Sequence, residues 1–214
     1  MKILSLLTPA FLFLAHPLSS YADEPVTPKL ALERLMQGND RYVHDALEHP
    51  NRTPERRESI VSKQNPFATI VGCSDSRVSP EILFDQGVGD LFVVRDAGNV
   101  IGPLELDSID YSVLYLGSVF ILVMGHENCG AVNAVIQNTT KDIESVATLI
   151  SPAVQEAKKS APHNLLESAT KINARRMKNY LLNTPVISRL VKEKKIDVQA
   201  AYYNLQTGTI ELLN

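Results

Sequence analysis

Two short stretches of this 214-residue chain hold residues that could do chemistry together. One is Cys73-Ser74-Asp75-Ser76-Arg77 and the other is Gly125-His126-Glu127-Asn128-Cys129-Gly130. Cys, His and Cys are three ligands suited to zinc, one short of a closed tetrahedron. Structural zinc sites fill all four positions, whereas catalytic sites keep one for water or substrate. His126 and Cys129 are three residues apart, so a tight turn can present both to one ion. Asp75 is the candidate fourth ligand; alternatively it can swing away and accept a hydrogen bond from zinc-bound hydroxide. The planar fork of Arg77 could hold Asp75 in that second position. The spacing therefore describes a site able to open or shut. Competing readings stand beside it. Cys73 and Cys129 are the only cysteines of the chain, and they can pair as a disulfide or sit as inert buried thiols. Asp75 and Arg77 can be a plain surface ion pair. His44, His49 and His163 lie in polar surroundings with no partner motif and read as surface residues.

Each motif directly follows a strand-like run. Ala68–Cys73 is short, apolar and rich in β-branched residues. Val119–Met124 is continuous and apolar, as a strand covered on both faces should be. Leu91–Val94 is a further strand, and Val198–Leu205 with Thr209–Leu213 reads as a hairpin-like pair turning at Thr207-Gly208. Helical patterns fall over about 79–85, 103–116, 129–137, 143–159 and 164–194. Residues 28–47 have helical spacing too, with Gly38-Asn39 expected to interrupt it. Residues 50–66 are polar and read as a solvated loop with a short helix. This alternation predicts an α/β fold, a central and mostly parallel β-sheet flanked by helices. In such sheets ligands bind at the carboxyl edge of the strands. If the two motif-bearing strands are neighbours, Cys73, His126 and Cys129 converge there.

Composition narrows the rest. Apolar residues make up 44% of the chain and charged residues 21%, a balance that buries a core and excludes general disorder. The net charge of −3, the low aromatic content and the lack of tryptophan argue against nucleic acid as a partner. Residues 1–22 have the form of a secretory signal peptide: Lys2, an apolar run from Ile3 to Leu14, then Ser20-Tyr21-Ala22 as a small-x-small cleavage site. Cleavage after Ala22 would leave residues 23–214 as one domain, with 23–50 as an N-terminal helical arm. The expected location is a bacterial periplasm, with no membrane attachment after cleavage.

The two motifs together resemble those of the β-class carbonic anhydrases, whose zinc signature is Cys-x-Asp-x-Arg followed by His-x-x-Cys-Gly. The resemblance extends through PEILFDQGVGDLFVVRDAGNV (80–100) and the closing AYYNLQTGTIELL, covering roughly residues 28–214. It implies a single zinc ion per subunit on Cys73, His126 and Cys129, with Asp75 as a ligand only in the closed state. It implies Asp75 and Arg77 as the catalytic dyad that gates the fourth position. Gln64, Phe92, Tyr111 and Gly130 fall where the plant-like subgroup binds substrate, the aromatics partly from a neighbouring subunit. The other subgroup carries a tryptophan three residues before the first cysteine. Here that residue is Ile70, which favours the plant-like type. A homodimer or homotetramer is implied, with carbon dioxide and bicarbonate as the small-molecule partners.

The implied reaction is reversible hydration of carbon dioxide to bicarbonate and a proton, by attack of zinc-bound hydroxide. Two departures stand out. Glu127 occupies a place where Ser or Thr is commoner and would add negative charge near the metal, and Asp96 replaces an apolar or Asn residue. Tyr111, Glu127 and buffer are the candidate proton carriers. The rival readings are a carbonyl sulfide or carbon disulfide hydrolase on the same ligands, a catalytically silent zinc-binding homologue, and a thiol–disulfide protein. The last lacks the Cys-x-x-Cys that such proteins use.

Overall fold

The architecture was obtained from a computed structural model, which describes residues 25–160 and 162–214. Residues 1–22, the expected signal peptide, lie outside the described residues. The chain runs α1 (Pro28–Val43), α2 (Pro54–Ser59), β1 (Ala68–Cys73), α3 (Pro80–Leu83), β2 (Leu91–Asp96), α4 (Pro103–Tyr115) and β3 (Phe120–His126). It continues with α5 (Gly130–Gln137), α6 (Glu144–Ser160), α7 (Leu165–Leu182), α8 (Pro185–Lys192), β4 (Asp197–Tyr203) and β5 (Ile210–Leu213). Five of these helices open on a proline, whose missing N–H would have no partner in a first turn anyway. Thr27 and Thr53 cap two of them, their hydroxyls accepting from the N–H groups of Leu30 and Arg56 at 3.2 Å each.

The strands form one sheet in the order β2-β1-β3-β4-β5. Pairing is parallel from β2 through β4, and β5 returns antiparallel to β4. Every residue of β1 and of β3 is buried. Successive side chains go to opposite faces. Ile70, Leu122 and Met124 pack with Leu35 and Phe84 on one side, under α1 and α3. Val71, Ile121 and Val123 pack with Ile109, Leu181 and Ile187 on the other, under α4, α7 and α8. A strand buried on both faces has no polar alternation, which is why both central strands read as unbroken apolar runs.

Two sequence expectations are corrected. Helix α1 is not interrupted at Gly38-Asn39. A Cβ on Gly38 would lie 1.7 Å from the Phe84 carbonyl oxygen, so the glycine lets α1 press against α3 rather than breaking the helix. Asn39 is buried and binds distant backbone: its Nδ2 donates to Leu83 and Gly208 carbonyls, and its Oδ1 accepts from Ile210 N–H. The stretch expected to be helical over 164–194 is two helices. Pro185 cannot donate to the preceding turn and its ring clashes with it, so α7 stops at Leu182 and α8 restarts at Pro185. The polar segment before β1 carries the short helix α2 and is largely exposed, as expected, with a few polar ties around it. Fully buried Asp85 accepts from Arg41 Nε at 2.7 Å and from the N–H groups of Glu48 and His49. Asp90 accepts from Asn51 and Arg56 side chains and from Gly87 N–H.

Gly38→Ala tests the close approach. Overpacking against backbone that cannot retreat should cost on the order of 3 kcal/mol, lowering the melting temperature by roughly 10 °C. Unchanged melting would show that α1 is free to shift.

Candidate metal centre

Cys73 is the last residue of β1 and His126 the last of β3. The two strands are parallel neighbours, with Val71 opposite Val123, so both side chains emerge at the same carboxyl edge. Asn128, at a φ of 52°, turns the chain sharply, and Cys129 follows as the residue preceding the first turn of α5. The result is a cluster in which one ligand atom each from Cys73, His126 and Cys129 lies within 4.8 Å of the others, all three residues buried.

The hydrogen bonds of the cluster suit a cation. His126 Nδ1 lies 2.8 Å from the carbonyl oxygen of Glu127. That oxygen can only accept, so Nδ1 carries the proton and Nε2 presents its lone pair. Nε2 is buried and has no hydrogen-bond partner among the described residues. A peptide carbonyl fixing the far nitrogen is the usual support of a metal-binding imidazole. Cys73 Sγ accepts from Gly98 N–H at 3.2 Å. Neighbouring Cys129, His126 and the Gly98 N–H favour the Cys73 thiolate and lower the Cys73 thiol from its ordinary value against its burial. Cys129 is pushed up in turn, because its proton is shared with Cys73 and its surroundings are dry. Two buried thiols beside an imidazole lone pair suit a cation, whose binding releases thiol protons. The donor set of two thiolates and one imidazole fits zinc.

Asp75 is turned toward Arg77, away from the ligand position. Its Oδ1 accepts from Arg77 N at 3.0 Å and Nε at 2.9 Å, and its Oδ2 accepts from Nη2 at 2.7 Å. This grip holds the Asp75 carboxyl well below the usual carboxylate range. Asp75 Oδ2 stands 3.9 Å from His126 Nε2, so the carboxylate borders the site in the open arrangement. Arg77 Nη2 also reaches the carbonyl of Asn128 at 3.3 Å, tying the dyad to the second motif. Arg95 was not singled out from sequence. Its Nε donates to the Cys73 carbonyl and its Nη2 to the Asp75 carbonyl, fixing the backbone between them. Only the β1–β2 register, with Gly72 opposite Arg95, reveals that contact.

The other expected site residues divide. Gly130 opens α5 beside Cys129. Phe92 is opposite Thr69, whereas Cys73 is opposite Asp96. At about 3.3 Å per residue that places Phe92 roughly 13 Å down the sheet from the cluster. Tyr111 stacks on Phe92 at 6.4 Å, and exposed Gln64 precedes β1 altogether. One chain does not bring these three to its own Cys73. Glu127 differs from expectation as well: its carboxylate points to the β4–β5 turn and accepts from Leu205 and Gln206 N–H groups. Asp96 is half-buried, and burial together with nearby Glu105 raises its carboxyl.

A family model described as carbonic anhydrase matches residues 68–210, which span both motifs. The chain belongs to the β-class carbonic anhydrase family. The carbonic anhydrase of Mycolicibacterium smegmatis is 35% identical over 192 residues, covering 86% of this chain and 93% of that relative. Carbonic anhydrase 2 of Mycobacterium tuberculosis is 48% identical over 109 residues, and that match spans 51% of this chain and 53% of the relative. Among solved structures, tetrameric β-carbonic anhydrases from Sordaria macrospora share the fold. They have a TM-score of 0.65 at 20% identity, over 86% of this chain and 96% of theirs.

Metal analysis of the purified chain should return about one zinc per chain, and His126→Ala should lower that content markedly. A chain that carries no metal and takes up none would remove the cluster from consideration as a metal centre.

Proposed function

We propose that this chain catalyses the reversible hydration of carbon dioxide to bicarbonate and a proton, with zinc held by Cys73, His126 and Cys129. The observation that carries this reading is the juxtaposition of three buried ligand atoms with a carboxylate locked beside them by Arg77. Zinc bound there would lower the pKa of a water molecule so that hydroxide is available near neutral pH.

The chain's own residues supply the selection and the setting. Arg77 favours the ionised form of Asp75, which can only accept hydrogen bonds. That form favours a reactant or product that carries an O–H and disfavours one that does not. Arg77 keeps Asp75 in the accepting position, and Arg95 holds the peptide segment that spaces Asp75 from Cys73. The thiolates of Cys73 and Cys129 would bring two negative charges to a bound ion, where three neutral imidazoles would bring none. Such a site would acidify water less, so activity should rise toward alkaline pH.

A second copy of the chain completes the site in this reading. Phe92 and Tyr111 pack together away from their own Cys73, and Gln64 precedes β1, so these residues can face a partner's site. Leu104 (76% exposed), Tyr111 (47%) and Tyr115 (74%) leave α4 with an uncovered apolar surface beside edge strand β2. The tetrameric state named for the Sordaria proteins is consistent with such pairing. Export to a periplasm is proposed from the signal-like residues 1–22. Among the described residues no helix is long and apolar enough to cross a membrane.

Four measurements bear on this. Asp75→Asn should cut stopped-flow carbon dioxide hydration by on the order of a hundredfold while zinc stays bound; near-normal activity would refute the role given to Asp75. Arg77→Leu frees the Asp75 carboxylate from its accepting position, so hydration should fall while zinc stays bound. Unchanged activity would show that Arg77 does not hold Asp75 for the reaction. Sulfide release from carbonyl sulfide that outpaces carbon dioxide hydration would move the chain to the related hydrolases. Sedimentation should show a dimer or larger, and Tyr111→Glu should shift it toward monomer; a wild-type monomer with full activity would exclude the shared site.

A further inference from the structure

The loop carrying His126 and Cys129 is fastened to a part of the chain 78 residues further on. Glu127 makes the fastening, and three of its groups are engaged. Its N–H donates to the Tyr203 carbonyl at 2.8 Å. Its carbonyl accepts from His126 Nδ1 at 2.8 Å. Its carboxylate Oε2 accepts from the N–H groups of Leu205 at 3.0 Å and Gln206 at 3.3 Å. Those two N–H groups belong to the tight turn between β4 and β5. Asn204 shapes that turn, its Oδ1 accepting from Gln206 N at 3.0 Å, Thr207 N at 2.8 Å and Thr207 Oγ1 at 3.0 Å. A carboxylate bound by two backbone N–H groups makes charge-assisted bonds, stronger than neutral ones. Glu127 thus grips a preformed turn with its side chain while its peptide carbonyl grips the imidazole.

We infer that Glu127 is a positioning residue for the metal. Its carboxylate, anchored on the β4–β5 turn, holds in place the carbonyl that orients His126, and so sets the affinity and coordination geometry of the Cys73–His126–Cys129 site. This rests on the zinc reading of those three residues. It also gives the acid a task other than adding charge at the metal or carrying protons, since the side chain is directed at the hairpin. The turn becomes part of the metal site's support although no residue from 204 to 207 belongs to the ligand cluster.

The test compares the wild-type chain with Glu127→Ala, Glu127→Gln and Asn204→Ala, each loaded with zinc or with cobalt. Zinc affinity is read by competition with a chromogenic chelator, and ligand geometry by the visible bands of the cobalt form. Glu127→Ala should weaken zinc binding by about tenfold and shift the cobalt bands. Glu127→Gln keeps an acceptor oxygen at the same reach, so it should restore most of the affinity and the wild-type spectrum. Asn204→Ala, which loosens the turn from the far side, should move both readouts the same way, and the double variant should be less than additive. Wild-type affinity and spectrum in Glu127→Ala would overturn the inference. So would Glu127→Gln as impaired as Glu127→Ala, which would assign the effect to charge. If Glu127→Ala fails to fold, a wild-type spectrum in Asn204→Ala overturns the inference by itself. A wild-type chain that binds no zinc fails the zinc reading instead, before any variant is compared.

Discussion

Parallel pairing of β1 with β3 is the constraint on which the rest depends. It sets Val71 beside Val123 and so brings the ends of both strands to one edge. Cys73 and His126 are more than fifty residues apart in sequence, and nothing local makes them meet. A slip of one residue would turn every side chain of the strand to the other face, exchanging the two halves of the core. The register is therefore defended by burial on both sides. Ile70 and Leu122 belong to one cluster, Val71 and Ile121 to the other. The metal centre inherits its accuracy from this packing, and the apolar strands are in that sense part of the site.

Polar side chains do a second kind of work, holding irregular backbone where hydrophobic packing cannot. Asp85 gathers the segment after α1, Asp90 gathers the segment around α2, Asn39 joins α1 to the final hairpin, and Glu127 joins the metal loop to that hairpin. In each case a side-chain oxygen accepts from an N–H of another segment, either a backbone group or, at Asp90, the Asn51 amide as well. An unmade bond of this kind would leave a buried acceptor without a partner, which costs about 1–3 kcal/mol. Arg95 and Arg77 do the converse, Arg95 donating to the carbonyls of Cys73 and Asp75 and Arg77 to that of Asn128.

Much of this was legible in the residues. The central strands announce themselves because complete burial leaves only apolar side chains, and the two motifs are visible because their ligand types are chemically distinctive. What was not legible depends on contacts between distant segments. Gly38 has the composition of a helix break but serves a close approach to the Phe84 carbonyl, which no local pattern reveals. Glu127 reads as a charge near a metal until the β4–β5 turn is seen to receive it. Arg95 resembles any arginine at a strand end until the register with β1 is known. Gln64, Phe92 and Tyr111 show the other limit. Their types fit a substrate pocket, yet Phe92 lies four strand positions from the level of Cys73, and sequence alone does not say that a second chain would have to receive it.

The Asn39 tether has a consequence for how the molecule comes into being. Its amide spans 171 residues to meet Ile210 and 169 to meet Gly208. Contacts between such distant segments form late, because the intervening chain must be ordered first. During synthesis from the amino end, α1 emerges long before the hairpin that receives Asn39 exists. Among the described residues the first helix is then among the last elements to be fully locked, and a chain cut short before β5 lacks the Ile210 N–H that Asn39 receives.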